Sequence, residues 1–424
     1  MQSILIIGGG AAGLMAAYEL SKHKYPITIL EAKKRLGGRI HTITDNSFSQ
    51  PIEAGAEFIH GDLPLTISLL KKAGIPYHVV NDNMFQLEKG KLKKQKEFSD
   101  HRNKVMKEME DLKEDTPLKD FLNTYFNDAQ YEGLRQSIKN FAGGFDLADI
   151  SKASTKALYR EWSHEMGKQY RINGGYKQLV NYLETVCKEN GCAVQTDCCV
   201  KKINWQTNEV SMLTMCSRIF KSNKVIITVP AGVLQTNVND EDYIEFKPAI
   251  PEHTAAAKNI GFGSVIKIIL EFSENFWNKE KKNAGFIFTD EIIPTWWSQL
   301  PVETILTGWI GGEKAGILKH ETDDEILDKA LQSLANAFAI STESLKEKLK
   351  AAKVFNWCKE PDIGGGYSYN TTESVAAKKI LQQPVNNTLF FAGEAFFESV
   401  PGGTVEAALS SGKVVAQQVL KTLQ

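Results

Sequence analysis

Near its start the chain reads Gly8-Gly9-Gly10-Ala11-Ala12-Gly13, and no other segment restricts the possible folds as much. The spacing is G-x-G-x-x-G, directly after the β-branched run Ile4–Ile7 and directly before the alanine-rich stretch Ala11–Leu20, so it marks a strand, a turn and a helix. Gly8 permits the tight turn, Gly10 lets the backbone approach a pyrophosphate, and Gly13 lets the helix pack closely on the strand. The first N–H groups of that helix, and the positive end of its dipole, then face the phosphates. A second strand, Ile27–Leu30, ends at Glu31 and Ala32, where an acidic side chain accepts hydrogen bonds from ribose hydroxyls. The unit is βαβ, and a Rossmann-like dinucleotide domain is expected.

The chain has 424 residues, room for two or three domains, and 42% hydrophobic side chains, enough for a sizeable core. Fifty Lys plus Arg against 51 Asp plus Glu leave a net charge of -1, so no overall field draws it to nucleic acid or an anionic membrane. The six cysteines form no C-x-x-C pair and sit near no histidine cluster, which predicts reduced thiols, no metal site and a cytoplasmic protein. No run approaches the roughly 20 apolar residues that span a bilayer, and no membrane anchor is expected.

Beyond the first unit, the densely charged stretch from Glu88 to Lys119 places Val105, Met109 and Leu112 at helical spacing and predicts a helical subdomain. Strand signals return at Ala193–Val200, Val225–Val229, Ser264–Phe272, Phe286–Thr289, Ile305–Ile310 and Thr388–Ala392. Two helices follow the later ones, the first with Leu327, Leu331, Leu334 and Phe338 on one face, the second with Val405, Leu409, Gly412, Ala416 and Val419. With no repeat and no low-complexity linker, two interleaved domains are expected.

Several motifs along the chain carry a resemblance. Glu31-Ala32-Lys33-Lys34-Arg35-Leu36-Gly37-Gly38-Arg39 adds a second glycine turn and a cation for the diphosphate. Glu53 to Gly61 reads EAGAEFIHG, and Gly263 to Phe272 reads GSVIKIILEF with Phe276-Trp277 just after. Trp357, Gly365-Gly366-Tyr367-Ser368-Tyr369, Phe391-Ala392-Gly393-Glu394 and Thr404-Val405-Glu406-Ala407-Ala408 complete the series. Together they resemble the flavin-containing amine oxidase family, nearest its polyamine oxidase and lysine-specific histone demethylase branch.

That resemblance implies an α/β fold, with a Rossmann-like, glutathione-reductase-like FAD domain built from residues 1–80, 190–250 and 355–424. A mixed-sheet and helical substrate domain takes residues 81–189 and 251–354. FAD-binding positions implied are Gly8, Gly10, Ala12, Gly13, Glu31, Ala32, Arg39, Gly55, Ala56, Val200, Trp357, Gly393, Glu394, Thr404 and Val405. Gly366 stands where some members attach FAD through cysteine, so FAD is expected to be noncovalent. The expected reaction is oxidation of a small-molecule amine, with O2 as acceptor and hydrogen peroxide as product.

Lys267 matches the lysine that holds a water bridging to flavin N5; without a polar partner a lysine in so apolar a run is costly. Tyr367 matches one aromatic wall before the flavin, while Thr404 replaces the second tyrosine of the monoamine oxidases. Phe58 stands where L-amino acid oxidases place an arginine, which disfavours a carboxylate substrate. His60 matches a histidine near the amine chain of some polyamine oxidases, and Glu57 is an acid where relatives are neutral, available to an ammonium group or to backbone amides. The FAD motifs are shared with desaturase and porphyrinogen-type oxidases acting on C–C bonds, and a low-turnover flavin-binding interaction module has them too.

Overall fold

The computed structural model describes residues 2–80, 83–88, 91–94, 102–164, 167–278, 284–299, 303–398 and 402–423. At its centre is a five-stranded sheet in the order Ala193–Gln195, Ile27–Leu30, Ile4–Ile7, Lys224–Ile227, Leu389–Phe391, all parallel. Because successive side chains point to opposite faces, the apolar runs feed two cores at once. Ile4, Ile6, Ile29, Ile226 and Phe390 pack under helices Ala11–Leu20 and Val405–Lys421. Leu5, Ile7, Val225, Ile227 and Phe391 pack against Ile203, Val210, Met212 and Phe246 of a four-stranded sheet on the other side.

The two helices over the first face approach backbone to backbone. A Cβ added at Gly412 would lie 2.2 Å from the carbonyl oxygen of Ala12, so only glycine lets Val405–Lys421 seat on Ala11–Leu20.

A second, seven-stranded sheet runs Leu349–Asn356, Val265–Phe272, Ile305–Gly311, Thr295–Ser298, Phe286–Phe288, Met84–Glu88, Lys91–Lys94. Every residue of Val265–Phe272 is buried. Its Ile266, Ile268 and Leu270 face helix Asp323–Phe338 through Ile326, Ala330, Leu331 and Leu334. Its other face, with Val265, Lys267 and Ile269, turns to Ala54, Trp357, Ile52 and Phe48 of the segments beside the first sheet. Helices Arg102–Glu110, Leu118–Tyr125, Glu132–Gly144 and Thr155–Ser163 form a separate apolar cluster around Phe121, Phe126 and Leu158.

The α/β class expected from the sequence is the observed one. The stretch from Glu88 is not wholly helical, however. Lys91–Lys94 is a strand paired with Met84–Glu88, Phe85 opposite Lys94, and the helix begins at Arg102; residues 89–90 and 95–101 lie outside the described residues. The reason is visible in the alternation of exposed Lys91, buried Leu92 and exposed Lys93, a period of two that the density of lysines obscures.

Candidate functional site

The glycine turn has the geometry a dinucleotide needs. Gly8 has φ +102°, and a Cβ at Gly13 would fall 2.0 Å from the Gly8 oxygen, so helix and strand touch there. Helix Ala11–Leu20 starts on Gly10 with no side-chain cap and no acidic residue in its first turn, which leaves its end open to an anion. Glu31, 7% exposed, takes the Gly9 N–H at 2.6 Å and the Lys33 N–H at 2.9 Å, and is thereby fixed at the strand end with Ala32 beside it. Burial pushes its carboxyl up, against the two N–H groups that pull it down. Val200 opens the strand Val200–Gln206 on the far side of the sheet, buried opposite Thr214.

Of the two arginines in the second glycine turn, Arg35 is absorbed structurally: its Nη1 donates to Gly38 O at 2.9 Å and Ile40 O at 3.1 Å. Arg39 pairs with Glu394 at 2.6 Å and donates to Gly366 O at 2.9 Å, and Ser368 Oγ completes that carboxylate at 2.6 Å. The Arg39 oxygen accepts from Ala56 N–H at 3.0 Å, and a Cβ on Gly55 would sit 1.9 Å from it, so the Gly55 loop lies flat on the Arg39 turn. Trp357, 6% exposed, buttresses the loop by donating Nε1 to Ala54 O at 2.8 Å. Gly393 N–H is held by Ser411 Oγ at 3.0 Å, and Thr404 caps helix Val405–Lys421 by accepting from Ala407 N–H at 3.2 Å.

Lys267 reaches this loop from the second sheet. It is 1% exposed, and its Nζ lies 2.6 Å from Glu57 Oε2 and 3.2 Å from Gly55 O. The other Glu57 oxygen is 2.6 Å from Arg171 Nη2 and accepts from Trp297 Nε1 at 3.1 Å. Burial pushes Glu57 up, but Lys267 and then Arg171 outweigh it, and the carboxyl is held below its ordinary range. Glu57 therefore does not offer a free carboxylate to an incoming amine, as the sequence allowed; the ammonium it holds belongs to Lys267.

Aromatic rings extend from this cluster. Phe58 lies 5.5 Å from Trp297 and 5.7 Å from Phe286, with the Arg171 guanidinium 4.7 Å over its face. Trp297 adjoins Trp309 at 6.0 Å, and Trp309 stacks on Tyr367 at 6.4 Å and 22°. The Tyr367 hydroxyl donates to Phe145 O, and its ring abuts Gly403, whose φ is +64°. His60, between Phe58 and Phe145, has its Nδ1 buried without a partner among the described residues, and burial lowers its pKa to about 4, so it is neutral. Near Tyr367, Asp146 accepts from Trp162 Nε1 at 3.0 Å, and an oxygen of Glu161 lies 3.0 Å from where a Gly402 Cβ would be. Burial raises both carboxyls, Asp146 further through its neighbour Glu161, which reaches about 6.

Residues 11–420 match the family described as flavin-containing amine oxidoreductase. The chain belongs to that family. Curated relatives include human lysine-specific histone demethylase 2, 25% identical over 98% of this chain and 53% of its own length. Polyamine oxidase 4 of Oryza sativa subsp. japonica is 26% identical over 99% of this chain and 89% of that one. The chain thus spans about half the length of the demethylases it matches. Among solved structures, putrescine oxidase bound to putrescine aligns with TM-score 0.81 at 19% identity over 99% of both chains. Cyclohexylamine oxidase from Brevibacterium oxydans aligns with TM-score 0.81 at 17% identity over 100% of this chain and 99% of that one.

FAD is the cofactor of this amine oxidoreductase chain. The open helix end at Gly10, fixed Glu31 and the Arg39–Gly55 surface are the residues that suit its dinucleotide and ring. Sequence reasoning missed Arg171, Trp297, Trp309, Asp146 and Glu161. Trp309 stood inside the strand run Ile305–Ile310, where an aromatic reads as core; Trp297 lies in Thr295–Ser298, a strand the sequence pattern did not mark, and nothing near Arg171 distinguishes it from any charged residue of a short strand. Among the described residues no helix is long and apolar enough to cross a membrane, and no group of three His, Cys, Asp or Glu could hold a metal ion.

Proposed function

We propose that the chain is an FAD-dependent amine oxidase acting on C–N bonds, with a substrate domain formed by residues 81–189 and 251–354. Held noncovalently by the Gly8–Gly13 turn, Glu31 and the Arg39–Gly55 surface, FAD would supply the acceptor for a hydride from the amine α-carbon, with O2 taking the two electrons as hydrogen peroxide and water hydrolysing the iminium to a carbonyl compound and an amine. The observation that supports this best is the continuous row of Tyr367, Trp309, Trp297 and Phe58, with buried Lys267 5.4 Å over the Trp297 ring beside Gly55.

The chain's own residues account for selectivity. Flat rings exclude water and position an alkyl amine by its methylenes. Hydride loss needs the nitrogen lone pair, so the amine must bind neutral; neutral His60 adds no charge to oppose it. Since Glu57 is engaged and burial keeps the proton on Asp146, Glu161, whose carboxyl rises only to about 6, is the acid near Tyr367 placed to attract a cationic substrate. The similarity to polyamine and putrescine oxidases supports a di- or polyamine.

Anaerobic addition of putrescine, spermidine, cyclohexylamine or a methyl-lysine peptide to the purified yellow protein tests the reading. One of them should bleach the flavin, with kcat/KM rising with pH toward the amine's own pKa of about 10. Retention of the oxidised spectrum with every amine sinks it.

A further inference from the structure

We propose that Glu57 is a positioning residue: clamped by Arg171 and Trp297, it holds the Lys267 side chain in one orientation against Gly55, on the face of the site that receives the flavin ring. Three charged side chains meet here with exposures of 1% for Lys267, 4% for Glu57 and 10% for Arg171. Such burial is tolerated only when each charge is paired; Arg171 meets Glu57 as an ion pair at 2.6 Å, while its buried Nε and Nη2 make no aligned hydrogen bond among the described residues.

Glu57 is used from both sides. Oε2 faces Lys267, while Oε1 faces Arg171 and accepts from Trp297, so the carboxylate cannot turn without breaking a contact at each oxygen. Lys267 is equally constrained, directed to Glu57, to Gly55 O and toward the Trp297 ring at 5.4 Å. The four residues come from four places: the Gly55 loop, strand Gln169–Ile172, strand Val265–Phe272 and strand Thr295–Ser298. Glu53, buried one turn of loop away, is also within electrostatic reach of Lys267 and Glu57.

While Glu53 keeps its proton, below about pH 7, two cations and one anion leave this cluster with a charge of +1. A lone lysine in an apolar strand is free to swing among its rotamers; here a second cation grips the counter-ion and fixes where the positive charge stands. A preorganised charge of this kind favours the electron-rich reduced state of a neighbouring ring without rearranging to do so. Arg171 has no part in the reaction under this proposal; it orients the group that orients the lysine.

The proposal rests on FAD lying against the Gly55 loop, but its test needs no amine. FAD-loaded protein is reduced photochemically, and two quantities are measured in wild type, Lys267→Met, the double variant Glu57→Gln/Arg171→Gln, and the triple variant: the flavin midpoint potential and the rate of reoxidation by O2. The double variant keeps the cluster at +1 and removes only the clamp. It should lower the potential and slow reoxidation at least about fivefold, in the same direction as Lys267→Met. In the triple variant both quantities should equal those of Lys267→Met, because a residue acting through Lys267 has nothing left to act on. Additive effects, an unchanged double variant, or loss of FAD by the double variant while Lys267→Met retains it would each overturn the proposal. A protein reduced by light but by no amine would leave it standing and remove only the amine oxidase reading.

Discussion

Glu53 shows how a single buried acid shapes the pH response. It is 8% exposed, accepts from Thr42 Oγ1 at 2.9 Å and from Tyr176 N–H at 2.7 Å, and desolvation raises its pKa to about 7 despite those donors. Between the unfolded value of 4.5 and about 7 the folded chain holds the proton more tightly, so this group's contribution is full below 4.5 and is lost as pH rises through 7. The window is worth about 3 kcal/mol at most. Glu53→Gln, which cannot titrate, should flatten the fall in Tm between pH 5 and 8; an unchanged slope in thermal melts counts against this assignment. His60 has the opposite sign: with a folded pKa near 4 it destabilises as pH falls below 6.5, and His60→Asn should resist acid better in the same melts. Both halves of the Glu57–Lys267 pair were legible in the sequence, one as a lysine needing a partner and the other as a carboxylate able to hold an ammonium. Their union was not, because it is made by a loop and a strand that meet across 210 residues of chain.

Strands and helices were read more surely than the contacts between them. Val265–Phe272 declared itself by an apolar run interrupted only by Lys267 and Glu271, and the face carrying Lys267 followed from the period of two. Lys91–Lys94 was hidden because a hairpin edge of lysines has the composition of a solvated helix. Arg171 was hidden for a different reason: its place beside Glu57 depends on the register Ile59 opposite Tyr170, which no local pattern encodes. Helix ends are more local. Thr322 forms a reciprocal capping box with Glu325, accepting from its N–H at 3.3 Å while Glu325 takes the Thr322 N–H at 2.8 Å. Thr322→Ala should cost about 1 kcal/mol in denaturant unfolding and leave FAD content untouched. Gly412→Ala should do the reverse of a mild surface change. Its Cβ must displace the first turn of Ala11–Leu20, so the expected result is roughly 1–3 kcal/mol of destabilisation together with weakened FAD retention, read by equilibrium dialysis.

At the scale of the whole molecule, the balance of 50 cations and 51 anions means that attraction for an amine is local. Raising ionic strength from about 20 to 200 mM, where the Debye length shrinks well below the width of the protein, should change kcat/KM for a diamine less than about threefold. A steeper dependence would point to long-range steering instead. The proposed cofactor surface draws on Gly8, Arg39, Gly55, Lys267, Glu394 and Thr404 together. Its assembly also has an order in time. The open helix end at Gly10 leaves a ribosome well before the helix that seats on it through Gly412. Until Val405–Lys421 emerges, Ala12 and its neighbours lack the backbone they are shaped to meet. Stable retention of FAD is therefore expected only once Val405–Lys421 has seated on Ala11–Leu20, and cells short of flavin should accumulate protein that is open to proteases at both of these helices.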